Sequence, residues 1–157
     1  MLYSQFCIGD DYYVIAINQI TAIVPFVNLK KIPSLPDYAV GLLGFHGNSV
    51  PVIDLCRLFK DRPCDRKLSS RIILVKIMIG QECERTIGLL VERATETYSA
   101  DDSEFISPGM YNPDLPFVGP IINDNIGVIT KILPQRIFER IDEKLFFPGD
   151  MTAVENE

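Results

Sequence analysis

The stretch from Lys31 to Phe59, KIPSLPDYAVGLLGFHGNSVPVIDLCRLF, decides the fold. Pro33 and Pro36 stand three residues apart, and the run Val40 to Phe45 follows with Gly41 ahead of two leucines. A four-residue turn, His46-Gly47-Asn48-Ser49, leads into a second β-rich run, Val50 to Leu55. Two β-runs joined by a short Gly-Asn turn read as a hairpin. Nothing in or around the stretch has the form of a catalytic constellation. It reads as a platform on which other proteins dock.

Short β-rich runs continue on both sides. Leu2 to Ile8 and Tyr12 to Ile17 flank the turn Gly9-Asp10-Asp11, and Ile20 to Val27 follows, with Pro25 marking a bulge or a sheet edge. Arg71 to Ile79 and Arg85 to Val91 form another hairpin around Gly80 to Glu84. Ala94 to Tyr98, Phe117 to Ile122 and Asn125 to Thr130 complete about ten strands, a pattern of all-β barrels or sandwiches. Helical pieces are few. Single turns fit Asp37 to Ala39 and Cys56 to Lys60, and Ser99 with Asp102 fits a capping box. The longest helix is predicted from Pro134 to Phe147, because Ile137, Ile141 and Leu145 recur every four residues and Phe138 widens the stripe. No internal linker interrupts this pattern. Residues 1–147 are expected to form one domain and 148–157 an acidic flexible tail.

Composition narrows the function classes. A chain of 157 residues with 47% hydrophobic residues builds a core without a metal or disulfide. A net charge of −6 argues against nucleic acid, whose phosphates demand clustered positive charge. The one basic cluster, Lys60, Arg62, Arg66, Lys67 and Arg71, is broken by Asp61, Pro63 and Asp65 and reads as a solvated loop. Cys7, Cys56, Cys64 and Cys83 form no C-x-x-C pair, so reduced thiols are expected and neither a metal nor a cofactor is. The N-terminal MLYSQFCIGDD lacks a secretion signal, and no run reaches the roughly 20 apolar residues of a membrane span. A cytoplasmic protein without membrane insertion is the expectation.

Candidate catalytic groups have simpler explanations. Asp10-Asp11 and Asp101-Asp102-Glu104 fit turn and cap chemistry. Asp54, which interrupts an apolar strand, reads as an acceptor for backbone or loop hydrogen bonds. His46 is the sole histidine and sits at a hairpin tip, so any Ser-His-Asp or Cys-His arrangement would have to pass through it. No nucleophile-elbow or phosphate-cradle glycine pattern is present. Tyr3, Phe6, Tyr12 and Tyr13 read as core and cross-strand pairs. No catalytic residue is assigned, and a small β-barrel ligand carrier or enzyme is the rival reading.

With these residues in view, the chain resembles the chemotaxis coupling protein family, the CheW-like domains, from Tyr3 to Leu145. The parts fall in the family order: Gly9-Asp10, Tyr13, Ile20 to Ile23, Ile32 to Pro36, Gly41 to Leu43, Gly47, Val50 to Leu55, Ile72 to Val75, Gly88 to Val91, and a closing segment from Ile126 to Phe146. The resemblance implies two small five-stranded β-barrel lobes packed together, followed by a C-terminal amphipathic helix. It implies a non-enzymatic adaptor that couples the cytoplasmic tips of methyl-accepting chemoreceptors to the regulatory domain of a CheA-type histidine kinase, recruited to membrane-associated arrays. By the same resemblance, Ile20, Ala22, Gly41, His46 and Gly47 would line the receptor groove. Family members usually carry arginine where this chain has His46, and often glutamate where it has Ala22. An imidazole is shorter than a guanidinium and lacks its permanent charge. The departure suggests a coupling protein for a specialised array. The runner-up among binding proteins is a stand-alone CheW-like regulatory domain that competes with the main coupler.

Overall fold

The computed structural model describes residues 1–141 of the chain, and all structural statements concern those residues. The element order is β1 (Leu2–Ile8), β2 (Asp11–Ala16), β3 (Ile20–Pro25), β4 (Ala39–Phe45), β5 (Asn48–Asp54), α1 (Leu55–Lys60), β6 (Arg71–Ile79), β7 (Cys83–Ser99), β8 (Val118–Asp124) and β9 (Gly127–Ile132). Three short 3₁₀ turns accompany them. The architecture is mostly β, in two lobes.

β7 is the element that makes two lobes out of one sheet. The sequence predicts two strands here, Arg85 to Val91 and Ala94 to Tyr98, but the chain runs through as one strand of 17 residues. Its first part pairs antiparallel with β6, from Cys83 to Val91, and parallel with β5 at Gly88 to Leu90. Its second part pairs with β1, from Glu92 to Ser99. The register shifts between Gln5 and Cys7 as the strand changes neighbours, and Arg93 there has a positive φ of 47°. A bulge therefore absorbs the bend that the sequence pattern presents as a break. One lobe holds β3, β6, β5 and β4 with the first part of β7; the other holds β1, β2, β9 and β8 with the second.

Two five-stranded barrels are what the resemblance implies; among the described residues no ladder joins β3 to β4 or β8 to β7. Isolated bridges stand nearby instead, Lys30 to Leu42 and Ile106 to Ile121. Buried side chains of both lobes form one large cluster that includes Phe6, Ile15, Ile53, Ile73, Leu89 and Phe117. A smaller one gathers Tyr3, Val14 and Ile129. The predicted cross-strand aromatic pair is present: Phe6 faces Tyr13, with ring centroids 5.9 Å apart.

Two helix-related expectations are corrected. The Pro134 to Phe147 helix is, where described, a 3₁₀ turn from Pro134–Glu139. Ile137 and Ile141 are buried as the stripe requires, but Gln135 grips both backbone groups of Met78 on β6, at 2.8 and 2.9 Å. That docking accompanies the tight i to i+3 hydrogen bonding of the segment. Residues 142–147 of the expected helix, and the expected tail 148–157, lie outside the described residues. The capping box is real but shifted. Asp101 is the N-cap and Glu104 reaches back to its N–H at 2.8 Å, because Ser99 is still paired to Leu2 in the sheet.

Candidate interaction site

The β4–β5 hairpin carries the candidate site. Its loop is two residues, His46 and Gly47, with φ of 49° and 80°. Positive φ at both central residues is the type I′ pattern, whose twist matches that of paired strands. Glycine meets this demand at low cost, and histidine is among the side chains that tolerate it better than most. The loop leaves His46 exposed, its ring edge-on to Phe45 at 4.2 Å between centroids. Upstream, Gly41 is buried with φ of 148°, and a Cβ there would lie 2.6 Å from the carbonyl oxygen of Lys30. Lys30 and Leu42 exchange two backbone hydrogen bonds of 3.0 and 2.8 Å across this contact. Gly41 thus fixes how the hairpin leaves the lobe.

Beside the tip lies an open cleft of about 470 Å³, walled by Phe45 and His46, by Thr21 of β3, and by Glu84, Arg85 and Thr86 at the start of β7. Lys76 pairs with Glu84 at 3.5 Å, and the Arg85 guanidinium donates to the Glu84 carbonyl at 3.2 Å. The cleft offers an aromatic wall, one imidazole, one guanidinium, one carboxylate and several hydroxyls to a visiting side chain.

Of the five groove residues expected from the sequence, His46 lines this cleft and Gly47 is exposed next to it. Ile20 and Ala22 turn inward and pack against the core. The register of β3 against β6 shifts between them, with Ile20 opposite Val75 and Ala22 opposite Leu74, so Thr21 is the extra residue of a bulge and faces out. Thr21, Glu84, Arg85 and Thr86 were not legible as site residues. They meet His46 because β3, β6 and β7 are neighbours in the sheet and β5, which carries the hairpin, pairs with β7.

A second cluster sits at the lobe junction. Asp54 caps α1, accepting from the N–H groups of Cys56 at 2.8 Å and Arg57 at 3.4 Å, and from Cys64 N–H at 3.0 Å. This is the acceptor role read from the sequence. Burial pushes the Asp54 carboxyl up, with those three N–H groups pulling against it. Buried Glu92 accepts from Gly9 N–H at 2.9 Å, from Asp65 N–H, and from the Arg62 guanidinium at 3.1 Å. Burial raises its carboxyl too, but these donors outweigh it and hold the group below its ordinary value. Lys60 pairs with Asp11 at 2.8 Å. The expected solvated basic loop is in fact partly tied down, fastening α1 and the loop after it to the β1–β2 turn of the other lobe.

The cysteines also depart from expectation. Cys56 and Cys64 form a disulfide, because the turn after α1 returns the chain to a Cα separation of 5.2 Å, while Cys7 and Cys83 are free. Asp54, Cys56 and Cys64 present the one grouping of possible metal donors among the described residues, within 4.8 Å of one another. With the sulfurs joined they offer no thiolates to an ion.

The other lobe bears a more apolar groove of about 670 Å³ lined by Phe105, Ile106, Met110, Tyr111, Leu115 and Leu133 among others. Met110 and Tyr111 are 87% and 61% exposed. Exposed Met and Tyr beside an apolar trough are typical of the centre of a protein interface. Among the described residues no helix is long and apolar enough to cross a membrane.

Residues 3–141 match a family model described as CheW-like domain. Among curated proteins, the chain is 29% identical over 91 residues to "Chemotaxis protein CheW" of Helicobacter pylori, covering 58% of this chain and 52% of that protein. It is 26% identical over 103 residues to "Probable chemotaxis protein CheW" of Rhizobium etli, covering 66% and 63%. Each match thus spans less than two thirds of the relative's own length. Among solved structures, the scaffolding protein TtCheW from Thermoanaerobacter tengcongensis is similar with a TM-score of 0.75 and 28% identity, covering 87% of this chain and 86% of that one.

Proposed function

The chain belongs to the CheW-like domain family, and from that premise we propose that it is a non-catalytic adaptor coupling chemoreceptors to a CheA-type histidine kinase. The family match over residues 3–141 is the observation that carries this reading. The receptor tip docks at the mixed cleft beside His46, and the kinase regulatory domain takes the apolar groove of the other lobe. Two separate faces of different character support simultaneous binding of two partners. The shared strand β7 and the common core hold those faces in one geometry, so that a change in receptor conformation reaches the kinase. The adaptor works in the cytoplasm, at membrane-associated receptor arrays, and needs no cofactor.

The second reading is a stand-alone CheW-like regulatory domain that competes with the main coupler. Reconstitution separates the two. Added to receptor-bearing membranes with the kinase, an adaptor raises kinase autophosphorylation. A competitor added to membranes that already hold the main coupler lowers it.

A further inference from the structure

The chain leaves α1 through Asp61, whose φ of 55° turns it back on itself, and Cys64 arrives beside Cys56. One carboxylate, that of Asp54, holds the backbone N–H of both cysteines, at 2.8 and 3.0 Å. Both cysteines are therefore held near one another by hydrogen bonds separate from the sulfur–sulfur bond, so the bridge can re-form in the folded chain. The Cys64 sulfur also lies 3.4 Å from the carbonyl oxygen of Leu90, an acceptor ready for its S–H once the bridge is open. Both redox states are accommodated, with no buried polar group left without a partner at Cys64.

We propose that Cys56 and Cys64 are a reversible thiol–disulfide switch that sets the stiffness of residues 61–70 and, through them, of the junction between the lobes. That segment supplies Arg62 and the Asp65 N–H to Glu92, and Glu92 in turn holds the β1–β2 turn through Gly9 N–H. A closed bridge shortens the free chain that must be ordered for these bonds to form; an open one restores its freedom. In the oxidising direction one cysteine, as thiolate, attacks a small-molecule disulfide and expels one small thiolate. The second cysteine displaces the other, so that the protein gives up two electrons and two protons and two small thiols leave. Both sulfurs are buried, but Arg66, Lys67 and Leu68 beside them are exposed, and local opening of this segment admits the reagent. A resident metal is the weaker alternative. Among the described residues three donors converge, and the Asp54 oxygens already accept three N–H groups, whereas structural zinc sites take four ligands.

The test uses the whole chain, reduced with a phosphine and then treated with glutathione disulfide. Thiols are alkylated and mapped by mass spectrometry, and amide hydrogen exchange is followed in both forms. The expected result is a 56–64 bridge that opens and re-forms in the folded protein, with Cys7 and Cys83 unbridged. Amides in residues 61–70 and in the β1–β2 turn should exchange about tenfold or more faster when reduced. Cys64→Ser should match the reduced form, and Cys7→Ser should switch like the wild type. Failure to form the bridge, a bridge that resists reduction until the protein unfolds, or equal exchange in the two forms would overturn the switch. So would stoichiometric zinc retained by the reduced protein and lost in Cys64→Ser.

Discussion

Replacing Gly41 with alanine should be among the most damaging single-methyl changes available in this chain. The backbone there has φ of 148°, a conformation that costs a side-chain-bearing residue roughly 1–3 kcal/mol. The new Cβ would stand 2.6 Å from the Lys30 carbonyl oxygen and 3.1 Å from the Leu29 Cβ, and the nearer of these is backbone, which cannot swing away. Relief requires the Lys30 segment to move, which strains the two hydrogen bonds it exchanges with Leu42, worth about 1 kcal/mol each. Together these predict a loss of about 3–5 kcal/mol, or roughly 6–20 °C in Tm for a chain of this size. Gly47→Ala is the control. Its φ of 80° is also unfavourable, but nothing lies within 4 Å of the added atom, so about 1–2 kcal/mol is expected. Urea unfolding with unchanged slope measures both. A Gly41→Ala protein within about 1 kcal/mol of wild type, or one no worse than Gly47→Ala, would refute the close-approach argument.

Other perturbations probe the cleft and the junction. Gly47→Val should destabilise by about 1–2 kcal/mol or more while Ser49→Ala changes little; equal tolerance in melting and binding assays would contradict the turn assignment. His46→Arg should shift preference among receptor fragments and leave kinase binding intact, with stability changed by only about 0–1 kcal/mol; unchanged affinity for every receptor fragment would count against a docking role for this tip. Asp54→Ala strips three N–H groups of their acceptor and should cost about 2–4 kcal/mol in thermal melts, with Asp54→Asn intermediate. Glu92 has a folded pKa below its ordinary 4.5, so its contribution is present above that value and is lost as pH falls through the lower, folded one. Glu92→Gln should therefore flatten the acid limb of the stability curve below about pH 5, and an unaltered limb would contradict the latch.

Much of the lobe architecture was legible because local pattern and long-range pairing agree. Val50 to Leu55, the hairpin before it, and the strands around Gly9 are β-rich apolar runs bounded by turn residues; they become strands, and β1, β2 and β5 are buried over most of their length. Asp54 was legible as an acceptor because a carboxylate at a strand end before a helical turn has few other uses. β7 was not, because its continuity depends on a change of neighbours at Glu92 and Arg93 that no local pattern encodes. The end of the chain misled for a related reason. The stripe of Ile137 and Ile141 is buried as read, but Gln135 docks on β6 and the described turn is tighter than the periodicity suggests. Cys56 and Cys64 gave no pairing signal, since their approach depends on the left-handed turn at Asp61. In the cleft, Thr21 is the outward residue of a bulge against β6, whose register only the pairing shows, and Glu84 to Thr86 arrive from far along the chain.

Co-sedimentation of the kinase with receptor-bearing membranes, titrated with this chain, tests the adaptor reading most directly. An adaptor with two separate faces predicts that kinase in the pellet rises with added chain to saturation, and that the chain itself pellets with it. Kinase that pellets equally without the chain, or that is released as the chain is added, would contradict the account.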